Sequence, residues 1–345
     1  MSDLMTEDLA QAAADDVLVS ARGLGRVFDV SKPWLNRVIE REERVFLTAA
    51  EDVTFDIRRG KTFALVGESG SGKSTIARMI VGLLRPTSGA VTVDGVDLFR
   101  SGDIAGQTAL RRRIQMIFQD PYASLNPRWR VGDIIAEPIR AFQLEQDAKA
   151  VRARVGELLE QVGLAAIDGI KYPHEFSGGQ RQRICIARAL ASKPEFIVCD
   201  EPTSALDVSV QSQVLNLMRD LQRELNLTYL LISHDLSVVR YMADDIGVLY
   251  LGRLVETAPR EQLYEAPRHP YTHMLLDAAP RLDAFGRTAE SVVGEIPDPI
   301  DRPSGCHFHP RCPHANDRCK TEAPARLVLG PGRTAACHGV EEGRL

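Results

Sequence analysis

The stretch Gly67-Glu68-Ser69-Gly70-Ser71-Gly72-Lys73-Ser74, with Thr75 behind it, fits the phosphate-cradling pattern G-x-x-x-x-G-K-[ST] without a mismatch. Its flanks supply the matching context. Thr62-Phe63-Ala64-Leu65-Val66 is an apolar run of the kind that fills a buried parallel strand, and Ile76, Met79, Ile80 and Leu83 follow at helical spacing. Glycines let such a loop turn its backbone N–H groups inward. The helix behind it adds roughly +0.5 charge at its N-terminus, so a polyphosphate is favoured there. Lys73 is placed to reach the β- and γ-phosphates and Ser74 to hold Mg²⁺.

Around this loop the chain alternates strands and helices, which implies an α/β doubly wound core. Ile114 to Phe118, Phe196 to Cys199 and Tyr229 to Ser233 are further short apolar runs. They end at Gln119, at Asp200-Glu201 and at His234. Ligand groups at the C-terminal ends of parallel strands share one crevice, so Lys73, Gln119, Asp200 and His234 are expected together. Before and beside this core, Val17 to Ser20, Arg26 to Phe28, Val53 to Ile57 and the hairpin signal Val91-Thr92-Val93-Asp94-Gly95-Val96 predict an antiparallel sheet. A polar insert runs from Ser31 to Arg44. From about Val131 to Tyr172 the pattern turns helical, with Val151, Val155, Leu158, Leu159 and Val162 on one face.

Asp200 stands at a strand end, where its carboxylate can hold Mg²⁺ through water. Glu201 is the natural base for polarising a water molecule. Ser177-Gly178-Gly179-Gln180 opens another helix, with serine as its cap and glycines that allow close backbone approach.

Taken in order, Gly67 to Ser74, Gln119, Ser177-Gly178-Gly179-Gln180, Phe196 to Glu201, Ser204-Ala205-Leu206-Asp207 and His234 resemble the motifs of the ATP-binding subunits of ABC transporters. The resemblance covers residues 17 to about 257. It implies a P-loop NTPase of the ABC ATPase fold: a RecA-like parallel core, an antiparallel β subdomain and an inserted helical subdomain at about 120–180. It further implies two ATPase subunits closing on two ATP molecules head to tail. Ser177, Gly178 and Gly179 would then clasp the γ-phosphate held by the other subunit. Gln119 would sense Mg²⁺ and water, Asp207 would couple the two sites, and His234 would bind the γ-phosphate. Phe28 is the expected aromatic against adenine, with Phe46 as the alternative.

Beyond residue 257 the chain resembles a narrower group, the ATPases of oligopeptide and dipeptide importers, which includes nickel and glutathione systems. The matches are His269-Pro270-Tyr271-Thr272, Gly294-Glu295-Ile296-Pro297 and Cys306 through Arg311-Cys312-Pro313 to Cys319. Tyr122 to Pro127 resembles that group too and is the expected docking surface for the membrane subunits. The implied partners are two permease subunits, a second ATPase (a paralogue or a copy of this chain) and an extracytoplasmic substrate-binding protein. A soluble ABC ATPase of the translation or DNA-repair class is the rival from another class, but it usually carries two cassettes or a long coiled coil.

Composition narrows the cysteine chemistry and the location. With 345 residues, 44% of them hydrophobic, the chain can bury a large core, and a net charge of -5 without a basic stripe argues against nucleic acid as a partner. The acidic start, residues 1–16, reads as a loose tail without the order of a signal peptide. The expected place is therefore the cytoplasm, and the resemblance implies the cytoplasmic face of the inner membrane. Cys185 and Cys199 lie in apolar runs, whereas Cys306, Cys312, Cys319 and Cys337 crowd the C-terminal extension, residues 258–345. In a reducing compartment such a group suggests metal before disulfides. Four thiolates suit an iron–sulfur cluster or tetrahedral zinc, and His307, His309, His314 and His338 are nearby. Several importers of the group carry a [4Fe–4S] cluster here, so the resemblance favours the cluster, with Zn²⁺ as the alternative.

Overall fold

The computed structural model describes residues 16–41, 43–100, 104–278, 294–295 and 297–345. The acidic start up to residue 15, and Ile296 of the Gly294-Glu295-Ile296-Pro297 match, lie outside the described residues. Strands are numbered in chain order: β1 Val17–Asp29, β2 Phe46–Arg58, β3 Thr62–Val66, β4 Ser88–Val93, β5 Val96–Asp97, β6 Ile114–Ile117, β7 Phe196–Asp200, β8 Thr228–Ile232, β9 Asp245–Tyr250, β10 Arg253–Pro259, β11 Leu327–Gly330 and β12 Arg333–Ala335.

Strands β1, β2, β4 and β5 form an antiparallel sheet in the order β2-β1-β4-β5. Its β4–β5 hairpin turns at Asp94 and Gly95, both with positive φ (55° and 75°), as the Asp-Gly pair predicts. The second sheet has the order β11-β12-β10-β9-β3-β8-β7-β6. Its pairs from β9 through β3, β8 and β7 to β6 are parallel, and β10, β12 and β11 extend it antiparallel.

Both faces of the parallel strands are covered, which is why β3, β7 and β8 read as unbroken apolar runs and are buried at every residue. Phe63, Leu65, Val198 and Leu230 pack with Ile76, Met79 and Ile80 and with the antiparallel sheet. Ala64, Val66, Cys199 and Leu231 face the opposite way, towards helices Gly178–Leu190 and Val208–Leu225. Helix Lys73–Ile80 is therefore clamped between two sheets, so the residues at its N-terminus cannot drift. Truncating Met79, fully buried there, costs about 2–5 kcal/mol.

The inserted helical region contains helices Val131–Ala141 and Ala148–Gln161, the latter capped by Asp147, which accepts from Lys149 N and Ala150 N. One expectation shifts: the polar insert after β1 contains a helix, Trp34–Glu40, where sequence reading saw only polar composition. Beyond residue 257 the chain returns to the ATPase sheet, where β12 pairs with Glu256 and Thr257 of β10.

Candidate functional site

The phosphate loop joins β3 to helix Lys73–Ile80. Two of its glycines are required by space as well as by backbone angle. At Gly67 (φ +154°) a Cβ would lie 2.2 Å from the Leu249 carbonyl oxygen, and at Gly72 (φ +103°) it would lie 2.2 Å from that of Ala49. Lys73 is buried, and its Nζ donates to the carbonyls of Gly67 and Glu68, both at 2.8 Å. Burial pulls its ammonium down from the ordinary value, while Glu201, Asp200 and Glu68 oppose the shift. The lysine thus closes the loop from within and carries its charge into a region walled by carboxylates.

Ser74 Oγ donates to Asp200 Oδ1 at 3.1 Å, joining the start of the helix to the end of β7 two strands away. Burial raises the Asp200 carboxyl above its ordinary range, against the Ser74 hydrogen bond. A hydroxyl and a carboxylate side by side are hard oxygen donors. Mg²⁺ is commonly held by one or two carboxylates plus substrate phosphates, so this pair fits it. Bound there, the ion would neutralise phosphate charge.

Glu201 follows at φ +46°, a left-handed conformation that costs a glutamate on the order of 1 kcal/mol. The turn lifts its carboxylate into the crevice. Gln119 Nε2, beyond the end of β6, donates to Glu201 Oε2 at 2.9 Å, and His234 Nδ1, beyond the end of β8, lies 3.1 Å from Oε1. Lys73, Ser74, Gln119, Asp200, Glu201 and His234 therefore form one grouping, as strand order requires.

A second grouping forms at two helix starts. Ser177 caps helix Gly178–Leu190 with a full capping box: Gln180 N donates to Ser177 Oγ at 3.3 Å, and Ser177 N donates to Gln180 Oε1 at 3.0 Å. The amide oxygen of Gln180 is thereby engaged by the cap. A Cβ on Gly179 would lie 2.3 Å from Val210 Cγ1, so this helix start is seated against helix Val208–Leu225. Asp207 stands at the N-cap of that helix without a side-chain capping bond, and both Ser177 and Asp207 are exposed. Phe28 is half-buried with the Arg26 guanidinium 4.6 Å from its ring centre, while Phe46, opposite Asp29 on β2, is exposed.

Sequence reading missed the contacts made from the C-terminal segment. Tyr271 Oη accepts from Glu68 N at 2.9 Å, and Arg311 grips the Glu68 carboxylate with both arms at 2.8 and 3.0 Å. Both residues stood inside stretches noted only for resemblance.

Residues 50–204 match the family model for ABC transporter, and residues 255–319 match that for the oligopeptide/dipeptide transporter, C-terminal region. A di/tripeptide transport ATP-binding protein of Pseudomonas aeruginosa is 44% identical over 95% of this chain and 99% of its own length. The chain belongs to the ABC transporter family. An oligopeptide transport ATP-binding protein of Bacillus subtilis is likewise 44% identical, over 95% of this chain and 98% of that one. Among solved structures, a dimeric ATP-binding cassette in a post-hydrolysis state, bound to ADP and Pi, aligns with a TM-score of 0.60 at 27% identity. It covers 70% of this chain and 99% of that one. The chain is thus an ATP-hydrolysing transporter subunit with the ABC ATPase fold. Among its described residues, no helix of this ABC ATPase is long and apolar enough to cross a membrane.

Its four C-terminal cysteines line one small pocket together with His269, His309, His314 and His338. Burial pushes the Cys306 thiol up to about 11 and also raises Cys312 and Cys337. Among the described residues, no group of three or more His, Cys, Asp or Glu side chains converges as ligands for one metal ion.

Proposed function

We propose that this chain drives peptide uptake as the ATPase subunit of an ABC importer, working on the cytoplasmic face of the inner membrane. The observation that carries the reading is a complete ATP crevice joined to the C-terminal region of oligopeptide/dipeptide transporters, residues 255–319. In this reading the loop from Gly67 to Thr75 takes the phosphates, Ser74 and Asp200 hold Mg²⁺, and Glu201 withdraws a proton from the attacking water. Gln119 and His234 keep that carboxylate aimed, and Phe28 supports adenine. Ser177, Gly178 and Gly179 complete the site of a second ATPase subunit, with Asp207 beside the shared face.

Two permease subunits and a substrate-binding protein outside the membrane complete the importer. Tyr122 to Pro127 is their docking surface in this reading. Tyr122 is 62% exposed, and the Arg181 guanidinium lies 4.0 Å from its ring centre, so a permease seated there would bear on the helix that Ser177 caps. The test is reconstitution with the permeases in liposomes. Peptide-loaded binding protein should accelerate ATP hydrolysis severalfold, whereas nickel chelates or glutathione in its place should not. Stimulation by those ligands alone overturns the peptide assignment.

The four thiols line one pocket. The resemblance to importers that carry a [4Fe–4S] cluster in this segment supports a cluster there, with zinc as the alternative. Cys306, Cys312, Cys319 and Cys337 would hold the cluster, which would supply a structural or redox-responsive group remote from hydrolysis. Anaerobic purification should give iron and sulfide that are lost in Cys312→Ser; zinc in their place overturns the cluster.

A further inference from the structure

The peptide of Glu68 lies inside the phosphate loop and is fixed at three points. Its N–H donates to Tyr271 Oη at 2.9 Å, its carbonyl accepts from Lys73 Nζ at 2.8 Å, and its carboxylate receives both arms of Arg311 at 2.8 and 3.0 Å. The pattern of a phosphate loop demands glycines, the lysine and the hydroxyl; it demands nothing of this second position. Two of the three anchors come from more than 200 residues away.

The anchors are themselves held firmly. The Arg311 side chain is 2% exposed, and its guanidinium carbon lies 5.8 Å from the Tyr250 ring centre and 5.9 Å from that of Phe308. Tyr271 is fully buried, with its ring centre 4.6 Å from Tyr250 and 5.4 Å from Phe308. A bidentate pair walled by aromatic rings has one geometry, unlike a surface ion pair, so it transmits position. Arg311 also ends the short helix His309–Arg311, immediately before Cys312.

We infer that Arg311 and Tyr271 are positioning residues for nucleotide binding. Acting through Glu68, they hold the phosphate loop in the conformation that accepts a polyphosphate, which makes the C-terminal segment a working part of the ATP site. The inference rests on the loop being the nucleotide site and is independent of what fills the cysteine pocket. Preorganisation of this kind acts on affinity before it acts on chemistry.

The test uses the full-length chain and equilibrium binding of a fluorescent ATP analogue, without turnover and well below each variant's melting temperature. Arg311→Gln and Glu68→Gln should each weaken binding roughly tenfold, KM should follow, and kcat should stay within about threefold. The double variant should be no weaker than the worse single, because both act through one contact. Arg311→Lys should recover part of the affinity, and Tyr271→Phe, which removes one hydroxyl, should lose about threefold and serves as the probe if Arg311→Gln fails to fold. Unchanged affinity with a lowered melting temperature, or losses that multiply in the double variant, overturns the inference. Lys73→Ala separates the two readings: if the analogue still binds that variant with full affinity, the loop is not the nucleotide site and the reading beneath the inference falls.

Discussion

His234 Nδ1 lies 3.1 Å from one oxygen of Glu201 while Gln119 Nε2 donates to the other at 2.9 Å, so the carboxylate is steadied from two neighbouring strand ends. A base held from both sides keeps its aim without rearrangement during the reaction. Glu201→Gln should bind ATP with near-normal affinity and hydrolyse it about 10²–10³-fold more slowly. Single-turnover kinetics checks this; a variant that hydrolyses at the normal rate removes Glu201 from the role.

Ser74 and Asp200 make the parallel case for the ion. Asp200→Asn keeps the shape and a hydrogen bond to Ser74 but loses the charge. The Mg²⁺ concentration for half-maximal hydrolysis should rise at least about tenfold, with nucleotide affinity in EDTA little altered. A titration of activity against Mg²⁺ that superimposes on that of the native chain would exclude Asp200 as a contributor.

The cap at Ser177 is exposed and makes no contact with Lys73, Asp200 or Glu201 among the described hydrogen bonds. Ser177→Arg should therefore leave ATP binding by a single subunit intact while abolishing ATP-dependent dimerisation and hydrolysis. Light scattering in the Glu201→Gln background reads the dimer directly. ATP-driven dimers that persist in the double variant would mean that Ser177 does not face a partner.

Acid should loosen the joint between the two sheets. Arg113 donates to Glu195 at 2.7 and 2.8 Å and to Asp94 at 2.8 Å, and Arg59 also reaches both carboxylates. The Arg113 hydrogen bonds hold both carboxyls below their ordinary values, with help from Arg59. Because the folded values lie below the unfolded ones, the stabilisation is complete above the ordinary carboxylate range and is lost as pH falls from that range down through the lower folded values. Both acids are over 40% exposed, so Arg113→Gln should cost only about 1 kcal/mol near neutrality. Denaturation midpoints measured from about pH 7 to pH 3 should converge for the two proteins at the acid end. A constant gap at every pH would show that the arginine acts by packing alone.

The strand-loop-helix unit, the Asp94-Gly95 hairpin, the serine cap at Ser177 and the gathering of Lys73, Gln119, Asp200 and His234 were all legible in the chain. Each is governed by short-range rules: an alternating or unbroken apolar pattern, a turn that needs positive φ, a helix start whose N–H groups need a partner. The gathering followed because parallel strands deliver their C-terminal ends to one edge. The helix Trp34–Glu40 was hidden by its polar composition, and the pairing of β12 with β10 was not legible because a sheet can be extended by a strand from any distance along the chain.

Sequence by itself therefore determined the chemistry of the loop and crevice. It could not determine that Glu68 is held by Tyr271 and Arg311, since a hydroxyl, a guanidinium and a carboxylate carry no record of which partner they will meet. Folding decided that, by bringing the C-terminal segment back against β10 and burying Arg311 with its guanidinium on the Glu68 carboxylate. A buried cation without such a partner is costly enough to shape the packing around it.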